Sequence, residues 1–197
     1  MAMSLGYSKV FVFTKPGTEA GETLSAIVNR KEEERAAGKN VFWWGLGSSL
    51  GDDLLAVGSK VGEIPIIINA HNRSPQVKSE NANPTRTVRW TKWKSAHGAE
   101  QDVPPFAKVT SRWDEKKRLH YALVCSSETE LAVDPHGSRF DIKLCKTFRK
   151  GRIPGTSQVT ALVEGDLSDL RHREGDYRIL FRADLVVPWQ AKLTRYI

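Results

Sequence analysis

The sequence predicts an α+β fold: a curved, mostly antiparallel sheet or small β-barrel with one or two helices. Three observations carry that expectation. Short apolar or alternating segments recur along the whole chain, whereas helical signals are confined to two stretches before residue 60. There is neither an internal repeat nor the regular strand–helix alternation of a parallel α/β protein. With 197 residues, 40% hydrophobic and 27% charged, the composition is that of a folded domain, and residues 1–197 read as one.

The elements follow in order. Val10-Phe11-Val12-Phe13 reads as a strand stopped by the turn signal Lys15-Pro16-Gly17. Thr23 to Ala37 reads as a helix with a short stripe of Leu24, Ile27 and Val28. Glu32 to Glu34 with Arg35 form its solvated face, and Gly38 its C-cap, so only the first half should be well buried. Val41 to Leu46 is a second strand that runs into the loop Gly47-Ser48-Ser49-Leu50-Gly51. Asp53 to Ser59 reads as a short helix with Asp52 as its N-cap. Ile64 to Asn69 is a third strand, and His71 to Pro84 a long polar loop of the kind that often serves binding. Thr85 to Trp93, Leu119 to Ser126, Leu144 to Phe148, Gln158 to Glu164 and Tyr177 to Val187 complete a β-rich C-terminal half, with a loop over Ala96 to Pro105.

Charge is segregated. Arg86 to Arg118 holds nine bases and four acids, and Arg139 to Arg152 six bases and one acid. Each window is +5 in a chain of +7, which leaves the remainder at −3. Such a field attracts polyanions; the plainer reading is a solvated surface with bases at loop tips. Within the first window Arg89-Trp90-Thr91-Lys92-Trp93-Lys94 interleaves bases with aromatics. Trp and Arg can stack on bases while Lys neutralises phosphate. On a regular strand Trp90 and Trp93 face opposite ways, so a one-sided sheet would leave one of them exposed. The alternative is a Trp90 packed in a core. Trp43 and Trp44 likewise face opposite ways, one for the core and one for a pocket or surface. Thr110-Ser111-Arg112 and Thr156-Ser157-Gln158 carry groups that suit phosphates and base edges, and equally suit ordinary turns.

Other chemistries find less support. The Gly45–Gly51 loop lacks the Gly-Lys-Ser/Thr ending of a P-loop and has its third glycine one place late for a dinucleotide fingerprint. No histidine pair has metal-protease spacing, and two cysteines, Cys125 and Cys145, cannot build a disulfide framework or a four-cysteine zinc site. His120 and Cys125 fall on opposite faces of one strand, so Cys125 reads as a small buried hydrophobe rather than a nucleophile. Three (D/E)-x-K matches, at Asp114, Glu115 and Asp141, compare with about two expected by chance. No cofactor is expected. No apolar run approaches a bilayer-spanning length, and Met1 to Ser8 do not resemble a signal peptide. A cytoplasmic protein without a membrane partner is therefore expected.

The strand Gly175-Asp176-Tyr177-Arg178-Ile179-Leu180-Phe181 opening on a Gly-Asp turn, together with Trp43-Trp44-Gly45, resembles the PUA-like superfamily, which includes EVE, YTH and ASCH domains. The resemblance covers two strands. It departs from the family in placing the Gly-Asp strand near the C-terminus, and the aromatic cage has no residue-by-residue counterpart. It implies a curved barrel that binds nucleic acid, with Trp43 or Trp44 as the wall of a modified-base pocket.

The sequence thus leads to nucleic-acid binding, DNA or RNA, with stacking of a modified or flipped base on Trp as the finer expectation. The candidate contacts are Trp43, Trp44, Ser48, Ser49, Arg89, Trp90, Lys92, Trp93, Lys94, Thr110, Ser111, Arg112, Lys146, Arg149, Lys150 and Arg152. Two alternatives stay open: a nucleotide- or nucleic-acid-processing enzyme, a hydrolase or nuclease, with a site assembled from distant residues such as His120, Asp141 and Glu164, and a small-ligand or protein-interaction module. Oligomeric state is not legible.

Overall fold

The computed structural model describes residues 10–14, 24–62, 64–71, 87–112, 120–132, 139–140, 146–148, 160–165 and 177–197. Two helices, α1 (Leu24–Ala37) and α2 (Asp52–Val61), accompany eleven strands. These are β1 (Val10–Thr14), β2 (Val41–Leu46), β3 (Ile64–His71), β4 (Thr87–Lys94), β5 (Gln101–Asp102), β6 (Thr110–Arg112), β7 (His120–Ser126), β8 (Arg139–Phe140), β9 (Lys146–Thr147), β10 (Thr160–Glu164) and β11 (Tyr177–Tyr196). The expected α+β class with a curved, mostly antiparallel sheet is what forms. Strands pair in the order β2-β7-β11-β3-β1-β10-β9, with β4 and β8 also on β11, and β5 and β6 on β4. The β1–β3 pair is parallel; the other pairs are antiparallel.

Curvature is visible in one hydrogen bond. Strands β2 and β1 are separated in the pairing order by β7, β11 and β3, yet the Trp44 indole Nε1 donates to Thr14 Oγ1 at 3.2 Å. Thr14 Oγ1 in turn lies 2.7 Å from Thr160 Oγ1 on β10. The sheet curls far enough to bring its distant strands face to face without closing into a barrel. Inside the curl lies the main core, with Val12, Phe42, Trp44, Leu54, Ile64, Leu123, Cys125, Phe181 and Leu185.

Strand β11 is the spine, and it is not straight. Leu185 opposes Cys125 and Gln190 opposes Leu123 on β7, so four residues, Val186 to Trp189, stand opposite Val124 alone. Trp189 has φ +59, a left-handed conformation that a bulky residue adopts only when its surroundings fix it. Its Nε1 donates to Gly62 O at 3.1 Å, and its ring lies over α2 at Gly58, where a Cβ would come within 2.5 Å of the indole. The bulge docked on α2 lets one strand serve two differently oriented halves of the sheet. The strand expected to end at Val187 therefore runs to Tyr196.

Helix α1 departs from expectation at its second half. Ile27 and Val28 enter the core, but Lys31 and Glu34 are buried as well, Glu34 completely. They face the outer edge of β2. Lys31 Nζ donates to Glu34 Oε1 at 2.6 Å and to the carbonyl of Trp43. The amide of Trp43 donates to Glu34 Oε2 at 3.1 Å. The ion pair thus takes both backbone groups that a neighbouring strand would otherwise take, and it caps an edge that would invite pairing with another chain. Burial pushes the Lys31 ammonium below the usual lysine range, and Glu34 pulls it part of the way back.

Gly38 takes the expected C-cap position after α1, its N–H donating to Glu34 O at 2.7 Å, but not by a left-handed conformation. The left-handed residues are Lys39 and Asn40, and Gly38 is needed for space instead, since a Cβ there would lie 2.3 Å from the Val41 carbonyl oxygen. At α2 the N-cap is Gly51, with no side-chain cap; Asp52 lies inside the helix.

Glu32 and Arg35 fasten α1 to the end of β7. Arg35 donates to both carboxylate oxygens of Glu32, at 2.8 and 2.7 Å, and the amide of Leu131 donates to Glu32 Oε2 at 2.8 Å. The Arg35 hydrogen bonds hold the Glu32 carboxyl below the usual range. Its contribution to stability is therefore complete above the ordinary value of 4.5 and is lost as pH falls through the depressed folded value. Glu32→Gln should be about 1 kcal/mol less stable than wild type at pH 7. In urea titrations at several pH values, that gap should narrow as the pH falls below 4.5.

Among the described residues no helix is long and apolar enough to cross a membrane.

Candidate nucleic-acid interface

The far face of the β2–β7–β11 strip has its own core. Gly45, Ala122 and Ala191 oppose one another across the three strands and make a floor of small residues. Trp43, Trp90, Val109 and Leu193 are buried beside it, with Trp93 and Phe106 packed against them. Trp43 and Trp93 meet edge to face at 5.2 Å, and the Trp90 ring lies 5.3 Å from that of His120 and 5.2 Å from that of Tyr196.

This second core changes the role of four candidate residues. Both Trp43 and Trp44 are buried, at 2% and 5% exposure, because β2 is covered on both faces; neither lines an open surface. Trp90 is buried too, and its Nε1 donates to Ser111 Oγ at 3.1 Å. Trp93 is half-buried, and its Nε1 donates to Asp102 O at 3.0 Å. The expected exposed member of the Trp90/Trp93 pair does not exist. The reason is the register: Trp93 opposes Leu193, Lys92 opposes Arg195 and Trp90 opposes Tyr196, with two slips on the way. A slip of one residue reverses which face a side chain takes, so both tryptophans reach the same core. Ser111 is likewise occupied as the acceptor of the Trp90 indole.

With Trp90 and Trp93 turned in, the bases between and beside them turn out. Arg89 opposes Thr110 on β6, and both are exposed. Lys94 opposes Lys192 on β11, Lys192 opposes Tyr121 on β7, and Tyr121 opposes Leu46 on β2. Directly opposed residues share a face, so Leu46, Tyr121, Lys192 and Lys94 form one row across four strands. The row lies at the end of the main core, to which Leu46 belongs and against which Tyr121 packs. Lys94 and Lys192 are half-buried, and neither has a carboxylate partner among the described residues. Nearby bases are neutralised: Lys92 Nζ lies 2.8 Å from Asp102 Oδ1, and Arg195 Nε 3.1 Å from Glu100 Oε1.

A rim borders the row. Gln190, one pleat back along β11, accepts the amide of Leu50 at 2.8 Å and donates to Ser49 Oγ at 2.9 Å. Ser49 Oγ also accepts the amide of Gly51 at 2.9 Å. Gly51, with φ +79, lets the chain turn there. The exposed Ser48 and Ser49 are thereby held at the end of β2, beside Leu46.

The structure thus brings Lys94, Ser48 and Ser49 to one place, with Arg89 farther along β4 and Thr110 opposite it on β6. Lys146 is exposed on β9, beyond β10 in the pairing order and apart from this row. The side chain of Arg112, and Arg149, Lys150 and Arg152, lie outside the described residues, as do Thr156-Ser157-Gln158, Asp141, Cys145 and the long loop after His71. Sequence reasoning missed Tyr121, Gln190 and Lys192. The alternation Gln190-Ala191-Lys192-Leu193-Thr194 is the strand signal that could have found two of them.

Of the three residues named for an assembled hydrolase site, Asp141 lies outside the described residues. His120 lies against Trp90, while Glu164 is exposed on β10, separated from β7 by β11, β3 and β1. Among the described residues no group of three His, Cys, Asp or Glu side chains could hold a metal. Cys125 is fully buried and burial pushes its thiol up, which removes it as a nucleophile. Comparison with protein-family models, curated proteins and solved structures gives no match.

Proposed function

We propose that the protein binds nucleic acid through the face that carries Arg89, Lys94, Lys192 and Tyr121. The observation that carries this reading is the Lys94–Lys192 pair: two half-buried lysines directly opposed in register, with no carboxylate partner for either among the described residues. Like charges so placed oppose each other, and a shared anion removes that cost. Phosphate diesters are the anions for which a flanking aromatic ring and a serine-bearing rim add further contacts. The overall +7 charge favours the encounter.

The PUA-like relationship and the modified base belong to the same proposal. The PUA-like relationship has as its support the Gly-Asp strand, the Trp43-Trp44-Gly45 segment and the curled sheet; with both tryptophans buried, a modified base needs another ring as its wall. In this reading Trp44, bonded to Thr14 inside the curl, is a core residue beneath the interface rather than the wall of a cage.

The test is fluorescence anisotropy of labelled DNA and RNA oligonucleotides at 50 and 200 mM salt. Affinity should fall steeply with salt, by about tenfold or more if several phosphates are engaged. Salt-independent binding, or no binding at 50 mM, would rule out this function.

A further inference from the structure

We propose that this face selects single strands: the base of one unpaired nucleotide rests on the Tyr121 ring while its phosphate sits between Lys94 and Lys192. The inference rests on the nucleic-acid reading above and narrows its substrate. It starts from spacing. Opposed residues of an antiparallel pair have Cα atoms about 4.5–5.5 Å apart, so Lys94 and Lys192 are close enough to clasp one phosphate from two sides. Tyr121 stands one further strand along the same row, about the same distance again. That places an aromatic ring at roughly one nucleoside's reach from the ammonium pair.

Tyr121 is suited to this place. Its ring packs against the main core and is half-buried, which holds it in position. Its hydroxyl makes no hydrogen bond to a described residue. A base in a duplex is covered by its neighbours on both faces and offers only its edges, so only an unpaired base can stack on a protein ring. The rim at Ser48 and Ser49, fixed by Gln190, narrows the row from the β2 side. Ser49 Oγ is itself taken up by Gln190 and the Gly51 amide, so in the proposed arrangement the rim acts as a steric barrier to the second strand of a duplex.

The experiment measures anisotropy of a labelled mixed-sequence 12-mer, single-stranded and annealed to its complement, with wild type, Tyr121→Phe and Tyr121→Leu. Leucine retains an apolar side chain against Leu46 but offers no π face, and thermal unfolding of each variant establishes that it is folded. The wild type should prefer the single strand. Tyr121→Leu should lose single-strand affinity by roughly 5- to 150-fold with duplex affinity unchanged, and Tyr121→Phe should retain it. Competition of wild type with unlabelled duplex gives the preference without any variant. Equal affinity for both forms, or full retention of single-strand binding by Tyr121→Leu, would overturn this inference while leaving nucleic-acid binding in place. Absence of salt-sensitive binding to either form would remove both.

Discussion

Lys31→Met should destabilise the protein by about 3–5 kcal/mol, the cost of stranding the partner of a buried ion pair. In wild type the Glu34 carboxylate, 0% exposed, receives Lys31 Nζ at 2.6 Å and the Trp43 amide at 3.1 Å. Methionine fills the volume but returns no charge, leaving Glu34 with one backbone donor and the Trp43 carbonyl without its ammonium. The partly exposed Arg30 guanidinium, 3.9 Å from Glu34 Oε1, would then be the remaining cation beside the carboxylate. Lys31→Met/Glu34→Gln should recover part of the loss, because the amide oxygen still accepts the Trp43 N–H and no charge remains buried. Urea denaturation at pH 7 measures both. A loss below about 1 kcal/mol for the single variant would show that the pair is held in water-like surroundings. Lys31→Met also tests edge protection: with its ammonium gone, β2 offers a free Trp43 carbonyl at its edge, and self-association should rise with concentration in light scattering.

Lys94→Gln/Lys192→Gln should carry the largest effect on binding, with little effect on folding. Neither ammonium has a carboxylate partner among the described residues, so no ion pair is lost. Removing two opposed like charges relieves their repulsion, and the melting temperature should hold or rise slightly. If both lysines clasp one shared phosphate, the slope of log affinity against log salt should fall by about 0.7 on a single strand or about 0.9 on a duplex. Affinity at low salt should fall by about tenfold or more. Lys92→Gln is the internal control. Lys92 is already engaged by Asp102 at 2.8 Å, so its removal should alter the slope less. A double variant that binds like wild type would show that the row is not the contact surface.

The tryptophans mark where sequence reading and structure part. An Arg-Trp-Thr-Lys-Trp-Lys segment looks like an exposed stacking platform, because strict alternation sends two residues three apart to opposite faces. The partner strand decides otherwise: slips between Leu193 and Tyr196 turn both rings into one core. Substituting Trp90 therefore probes folding rather than base stacking. The expected stop at Val187 failed for a related reason. A proline ends a strand when its missing N–H breaks the ladder, but Pro188 stands in a bulge that has no ladder bond to break, and the strand resumes at Gln190.

The sequence by itself determined the α+β class, the location of most strands, the inward role of Cys125 and the concentration of positive charge around β4. These follow from local composition and period, which each segment carries alone. Only the tertiary structure decided which aromatic and basic side chains stay available. Lys192 and Tyr121 lie 71 positions apart and become neighbours of Lys94 only through strand register. Glu34 reads as a solvated charge until β2 supplies an edge for it and Lys31 to cap. Register and edge contacts depend on the partner strand, and no window of a single strand contains that information.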